Sequence, residues 1–260
     1  MTSSPLFSLE HVGCAYDGQP VLHPLTLDLP AGCVIGLLGH NGSGKSTLMK
    51  ILARQISPGT GHAQFEGRPL GDYAPRELAR RLSYLPQQNA DTDGLTVREL
   101  VALGRYPWHG PFGRTSQADE AICEKALVAT DTARFADRFV DSLSGGERQR
   151  AFLAMLVAQD ARCLLLDEPI SALDISQQYE LMDLVSGLSR NHGRSVIVIL
   201  HDLNIAARYC DRIIVLSSGN LTAFETPVDL MQPDRLQALF GVPLGIFPHP
   251  DTGQAISYVR

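Results

Sequence analysis

The stretch "CVIGLLGHNGSGKSTLMKILARQ" (33–55) constrains the fold more than any other part of the chain. A fully apolar run, as of a strand covered on both faces, ends in a glycine-rich loop. Leu48, Met49, Ile51 and Leu52 then recur at helical spacing. Gly39, Gly44, Lys45 and Ser46 fit the pattern G-x-x-x-x-G-K-[ST] in the strand–loop–helix context it requires. Such a loop turns backbone N–H groups toward phosphate oxygens, with His40, Asn41, Gly42, Ser43 and Thr47 completing the cradle. Lys45 is placed for the β- and γ-phosphates of a nucleotide and the Ser46 hydroxyl for Mg²⁺. The helix dipole supplies about 0.3–1 kcal/mol, whereas each hydrogen bond to a charged group is worth about 1.5–3 kcal/mol. Directed donors and Lys45 therefore outweigh the dipole.

A phosphate loop alone does not separate a hydrolase from a kinase. The strand "CLLLD" ends in Asp167 and Glu168. A carboxylate at the end of a buried strand suits Asp167 to hold Mg²⁺, directly or through water. Glu168, one step on, is placed to take a proton from an attacking water, and a positioned base is worth about 10²–10⁴ in rate. His201 closes the next apolar strand, "SVIVILH", and is read as a γ-phosphate contact.

Strands alternate with helices on both sides of this loop. "LTLDL" (25–29) alternates as a half-buried strand, "RLSYLP" (81–86) reads as another, and "RIIVLSSG" follows the helix "LNIAARYC". The pattern implies βαβ units and a mainly parallel sheet, an α/β class. The segment from about residue 89 to 160 differs. "LTVRELVALGR" carries a capping box, Thr96 with Glu99, and "SQADEAICEKALVAT" spaces Ala118, Ile122 and Ala126 by four on one expected helical face. The last twenty residues read as a turn-rich β ending.

Composition narrows the partners. A net charge of −6 argues against a nucleic-acid partner held by a broad basic face. Five scattered cysteines without CxxC spacing read as reduced thiols rather than a metal or disulfide framework. The N-terminus has no signal-peptide pattern, and the longest apolar runs fall short of the ~18–20 residues that span a bilayer.

The segment "SLSGGERQR" (142–150) poses a second question. Ser144 as N-cap with Glu147 at N3 opens another anion-holding helix start, yet one phosphate loop binds one nucleotide. A symmetric dimer resolves this, since the same surface of each subunit can then meet the other's loop. With these motifs in view, "LSGGERQR", "GHNGSGKST" and "LLLDEP" resemble the ATP-binding subunits of ABC transporters, over nearly the whole chain.

The resemblance implies one nucleotide-binding domain over 1–260. It would have a P-loop core (about 1–88 and 161–260), an N-terminal antiparallel β part and an inserted helical subdomain (about 89–160). It further implies that Tyr16, ahead of the first long strand, stacks on adenine. Gln87 in "YLPQQ" contacts Mg²⁺ and links to the helical subdomain. Ser144, Gly145, Gly146 and Glu147 touch the opposite nucleotide, Asp174 lies at the dimer seam, and His201 is the switch histidine. Ile170 departs from the threonine common in the family, which bears only on local packing.

The wording of "VRELVALGRYPWHGPFGR", with Tyr106, Pro107, Trp108 and Phe112, is similar to the ATPases of ferric-hydroxamate siderophore importers, as is His40 where many relatives carry proline. The aromatic cluster alone is equally consistent with ordinary helical packing. The resemblance implies an ATP- and Mg²⁺-dependent homodimer at the cytoplasmic face of the cell membrane. It also implies a separate integral-membrane permease and, indirectly, an extracytoplasmic siderophore-binding protein. The alternatives are a cobalamin or haem importer of the same architecture, a soluble ABC ATPase, or a small-molecule kinase. The kinase would leave "LSGGE" without a task.

Overall fold

The computed structural model describes residues 5–89, 91–109 and 116–260. Phe112 of the aromatic segment lies outside them. Two compact units are present, Met1–Asp72 with Ser195–Arg260, and Tyr73–Arg194. The first opens with β1 (Phe7–Tyr16), β2 (Gln19–Leu29), β3 (Val34–Gly39), α1 (Lys45–Leu52), β4 (Thr60–Phe65) and β5 (Arg68–Pro69). The second holds α2 (Pro75–Ala79), β6 (Leu82–Leu85), α3 (Val97–Leu103), α4 (Tyr106–His109), α5 (Gln117–Ala129), α6 (Gly145–Gln159), β7 (Cys163–Leu166) and α7 (Ile175–His192). The chain returns to the first unit through β8 (Ser195–Ile199), α8 (Leu203–Tyr209), β9 (Arg212–Ser217) and β10 (Asn220–Glu225). It ends in α9 (Pro227–Leu230), α10 (Pro233–Phe240), β11 (Leu244–Pro248) and β12 (Ala255–Val259).

In the first unit, β3 pairs in parallel with β8 on one side and β9 on the other, and β10 joins β9 antiparallel. Val34, Ile35, Leu37 and Leu38 are buried, as are Val196 to Ile199. Near-continuous apolar strands are what a parallel sheet covered on both faces demands. An antiparallel sheet of order β2-β1-β4-β5 lies in the same unit. Leu25, Leu27 and Leu29 of β2 point inward while Thr26 and Asp28 are exposed, matching the alternation of "LTLDL".

β1 corrects one expectation, because Tyr16 is the last residue of a ten-residue strand rather than a residue ahead of the first long one. Three register shifts between Leu9 and Ala15 break the strand's two-residue period. Its inward and outward faces are therefore scrambled in sequence.

In the second unit, β6 and β7 pair in parallel. α6 is the core element, with Ala151 to Ala154, Leu156, Val157 and Ala158 all buried, and α3 and α5 pack against it. Capping boxes start α3 (Thr96 and Glu99), α5 (Ser116 and Asp119) and α6 (Ser144 and Glu147). α5 is the helix that the spacing of Ala118, Ile122 and Ala126 predicts, with Ala126 buried and Ile122 half-buried. Ala118 is exposed, and the buried face runs through Asp119, Cys123, Ala126 and Leu127.

A carboxylate takes a core position because its charge is fully partnered. Arg105 Nε donates to Asp119 Oδ1 at 2.9 Å, His109 Nε2 lies 2.7 Å from Oδ2, and the Ser116 backbone N–H donates at 2.9 Å. Trp108 belongs to the same packing. Its indole N–H donates to the Gln159 carbonyl at 2.9 Å, and the Arg80 and Arg105 guanidinium carbons lie 5.2 and 4.9 Å from its ring centroid. No helix among the described residues is long and apolar enough to cross a membrane.

Burial raises the Asp119 pKa, but hydrogen bonds from Ser116, His109 and Arg105 overcome it and hold the carboxyl well below its ordinary range. A depressed folded-state pKa contributes stability that is fully present above the unfolded value of about 4 and is lost as pH falls through the folded one. Asp119→Asn is therefore expected to cost about 3–5 kcal/mol at neutral pH, because it strands Arg105. The gap to wild type should narrow as pH falls below about 4. Urea melts of both chains from pH 7 down to pH 2 check this, and a pH-independent gap would exclude the ion pair as its cause.

Candidate active site

The phosphate loop leaves the carboxyl end of β3 and turns into α1, whose N-cap is Gly44. α1 has no side-chain cap and no acidic residue in its first turn, so its leading N–H groups are not neutralised by a cap from the chain itself. Gly39 adopts φ +152°, and a Cβ there would fall 2.2 Å from the Leu216 carbonyl oxygen and 2.5 Å from Ser43 Oγ. Only glycine permits that approach. The Gly219 N–H, in the turn joining β9 to β10, donates to the Ser43 carbonyl at 3.2 Å and ties the loop down from the other side.

Lys45 is buried, and its ammonium donates to the Gly39 carbonyl at 2.8 Å and the His40 carbonyl at 2.9 Å. Ser43 Oγ is buried without a hydrogen-bond partner. An orphaned hydroxyl, an ammonium and an uncapped helix start form a donor set suited to a triphosphate. Ser46 and Thr47 follow on the first turn of α1, and His40, Asn41 and Gly42 form the loop's exposed tip.

His201 lies two residues past the end of β8, on the turn into α8. Asp202 caps α8, accepting from the N–H groups of Asn204 and Ile205 at 2.7 and 2.9 Å. His201 and the loop tip line one cavity of about 310 Å³, together with Leu38, Leu203 and Phe240. Tyr16 stands opposite Gln19 at the β1–β2 turn and is 47 % exposed.

In the second unit, the Asp167 N–H donates to the Leu85 carbonyl at 2.9 Å, which fixes the carboxylate just past β7. Asp167 is buried and accepts from the Tyr84 hydroxyl at 3.3 Å. Burial first, then the charge and hydrogen bond of Asp167, push the Tyr84 phenol above its ordinary range, so it remains a donor. Sequence reasoning missed Tyr84. The signal was its place in β6, beside Leu165 in the parallel register with β7.

Glu168 holds φ +51°, a left-handed conformation uncommon outside glycine. Pro169 behind it disfavours the right-handed helical region. The Ser171 hydroxyl and N–H both reach the Glu168 carbonyl, at 3.1 and 3.3 Å. Its carboxylate accepts from the Gln87 amide at 2.8 Å, so Gln87 meets the expected base directly. Ile170 is buried and its carbonyl accepts from the Gln178 amide at 3.3 Å, consistent with a packing position.

The start of α6 already holds an anion. The Glu147 carboxylate accepts from the Ser144 N–H at 3.0 Å and from its hydroxyl at 2.9 Å, and these bonds lower the Glu147 pKa. Gly145 is exposed and Gly146 buried. A Cβ on Gly146 would lie 2.6 Å from Gln177 Cδ, so glycine lets α6 approach α7. Asp174 caps α7 by accepting from the Gln177 N–H at 2.9 Å.

A phosphate loop on a parallel-sheet strand, opening a helix with uncapped N–H groups, defines a P-loop nucleotide-binding protein. The ABC transporter family model matches residues 22–171, and the chain belongs to the ABC transporter family, whose cassettes hydrolyse ATP. It is 41% identical over 245 residues to the ferric enterobactin transport ATP-binding protein FepC of Escherichia coli strain K12, covering 94% of this chain and 90% of that one. The hemin import ATP-binding protein HmuV of Pseudomonas putida strain KT2440 is 42% identical, with 92% and 94% covered. The iron(3+)-hydroxamate import ATP-binding protein FhuC of Bacillus subtilis strain 168 is 35% identical, with 96% and 93% covered. Among solved structures, a dimeric ATP-binding cassette in a post-hydrolysis state with ADP and Pi superposes with a TM-score of 0.74. It is 27% identical, with 85% and 98% of the two chains covered.

Proposed function

We propose that this chain is the ATPase subunit energising import of iron(III)–siderophore chelates, working as a homodimer on the cytoplasmic face of the cell membrane. The observation that carries the reading is the 41% identity to a ferric enterobactin transport subunit across 94% of the chain. The hydroxamate relative stands lower, at 35%. A hydroxamate cargo is thus the narrower proposal within the chelate class. Haem import is the second reading, favoured by the 42% identity to HmuV.

The roles proposed for the residues follow their chemistry. The loop 39–47 with Lys45 binds the phosphates of ATP, and Tyr16 offers its ring to adenine. Ser46, Gln87 and Asp167 are the proposed Mg²⁺ ligands, and the ion would neutralise charge on the phosphates. Glu168 takes the proton of the attacking water, His201 contacts the γ-phosphate, and Gln87 holds the Glu168 carboxylate. Ser144, Gly145, Gly146 and Glu147, with Asp174, serve the nucleotide of the second copy. Residues 89–160 form the helical subdomain, within a single domain over 1–260, that meets the permease, which in turn receives cargo from an extracytoplasmic binding protein.

Uptake of labelled iron in a strain lacking this gene tests the cargo, supplied as a ferric hydroxamate, as ferric enterobactin and as haem. Loss confined to siderophore iron supports the reading, and loss confined to haem transfers it to the second. Unimpaired uptake of all three overturns both.

A further inference from the structure

The C-terminal segment 233–260 meets the rest of its own unit at two separate points beside the phosphate-binding site. At the first, the Phe240 ring at the end of α10 meets the His40 ring of the phosphate loop edge-on, with centroids 6.4 Å apart and planes at 77°. The His40 carbonyl is already held by Lys45. The loop tip is thus gripped by its backbone from within and by its side chain from the C-terminal segment.

At the second point, Asn204 on the first turn of α8 is joined to Ser257 of β12 by three hydrogen bonds. Its amide donates to the Ser257 carbonyl at 3.2 Å, and its oxygen accepts from the Ser257 N–H at 2.8 Å and hydroxyl at 2.9 Å. β12 is in continuous register with β11, and β11 packs against α10. One structural piece therefore reaches both the phosphate loop and the turn that carries His201. These are the two walls of the 310 Å³ cavity.

We propose that this segment is a clip that sets His40 and His201 in place for hydrolysis, with Phe240 and Asn204 as its positioning residues. The proposal rests on the reading of the loop and His201 as parts of the hydrolytic site. A turn following a strand is ordinarily among the more mobile parts of a fold. An ångström of misplacement at a phosphate contact costs far more rate than stability. Asn204 governs the turn that acts late, on the γ-phosphate, so its loss should appear in kcat. Phe240 governs the loop that binds ATP before any chemistry, so its loss should appear in KM.

The test is ATP hydrolysis by the purified full-length chain, with a thermal melt of each variant. Asn204→Ala is expected to lower kcat about tenfold with KM for ATP nearly unchanged. Asn204→Asp, which keeps the oxygen that accepts both Ser257 donors, should recover most of the loss. Phe240→Ala is expected to raise KM about fivefold with kcat retained, and Phe240→Tyr to restore it.

Variants that match wild type overturn the clip, as do variants whose kcat falls and KM rises together in proportion to their loss of melting temperature. The parent reading is judged separately. Wild-type hydrolysis that survives Lys45→Ala and His201→Ala would remove it, whereas hydrolysis abolished by Lys45→Ala leaves it intact whatever the clip variants do.

Discussion

A Glu168→Gln chain is expected to bind ATP near normally, to lose about 10²–10⁴ in turnover, and to accumulate as an ATP-loaded dimer. The substitution keeps the shape and backbone demands of the residue, including φ +51° and the Ser171 bonds to its carbonyl. It also leaves an oxygen for the Gln87 amide, which lies 2.8 Å from the carboxylate. What disappears is the capacity to accept a proton from water. The nucleotide that bridges two copies would then persist uncleaved. Phosphate release and a sizing column in excess ATP and magnesium check the two halves of the expectation. A variant that turns over at wild-type rate would remove Glu168 as the base, and one that stays monomeric would remove the composite site.

Lys45→Ala is expected to weaken ATP binding about 10²–10³-fold, the value of one or two hydrogen bonds between charged groups. Lys45 also supports its own loop, since its ammonium fills the space under the Gly39 and His40 carbonyls. The alanine chain should therefore lose thermal stability as well as nucleotide. Lys45→Met separates the two roles, because it restores the aliphatic stem and no charge. It should recover part of the melting temperature and none of the affinity. Titration with a fluorescent ATP analogue alongside thermal melts distinguishes these outcomes. Wild-type affinity in either variant would show that the ammonium does not meet the phosphates.

Much of this chemistry is local, and local patterns survive in sequence. The strand–loop–helix around Lys45, the acidic end of β7 and the capping boxes at Thr96 and Ser144 each occupy a short window whose spacing mirrors the backbone period. What sequence reasoning missed is held by residues far apart in the chain. Asp119 sits on the buried face of α5 because of Arg105 and His109, fourteen and ten positions earlier, which no periodicity can show. Tyr84 reaches Asp167 only through the pairing of β6 with β7. Phe240 meets His40, and Ser257 meets Asn204, only because the C-terminal segment folds back. The N-terminal antiparallel β part is legible by resemblance, but the bounds of β1 are not, since its bulges erase the alternation that marks a strand.

The carboxylate seated at the start of α6 means that this helix end is no vacant trap for stray anions. Inorganic phosphate drifting past must displace a tethered competitor of like sign, and has no lysine or second subunit to help it. In the proposed dimer, a γ-phosphate delivered by the facing copy would arrive with its counter-charges and its orientation fixed. Selectivity for a docked nucleotide over dissolved salts can thus arise from self-occupancy, without a dedicated filter.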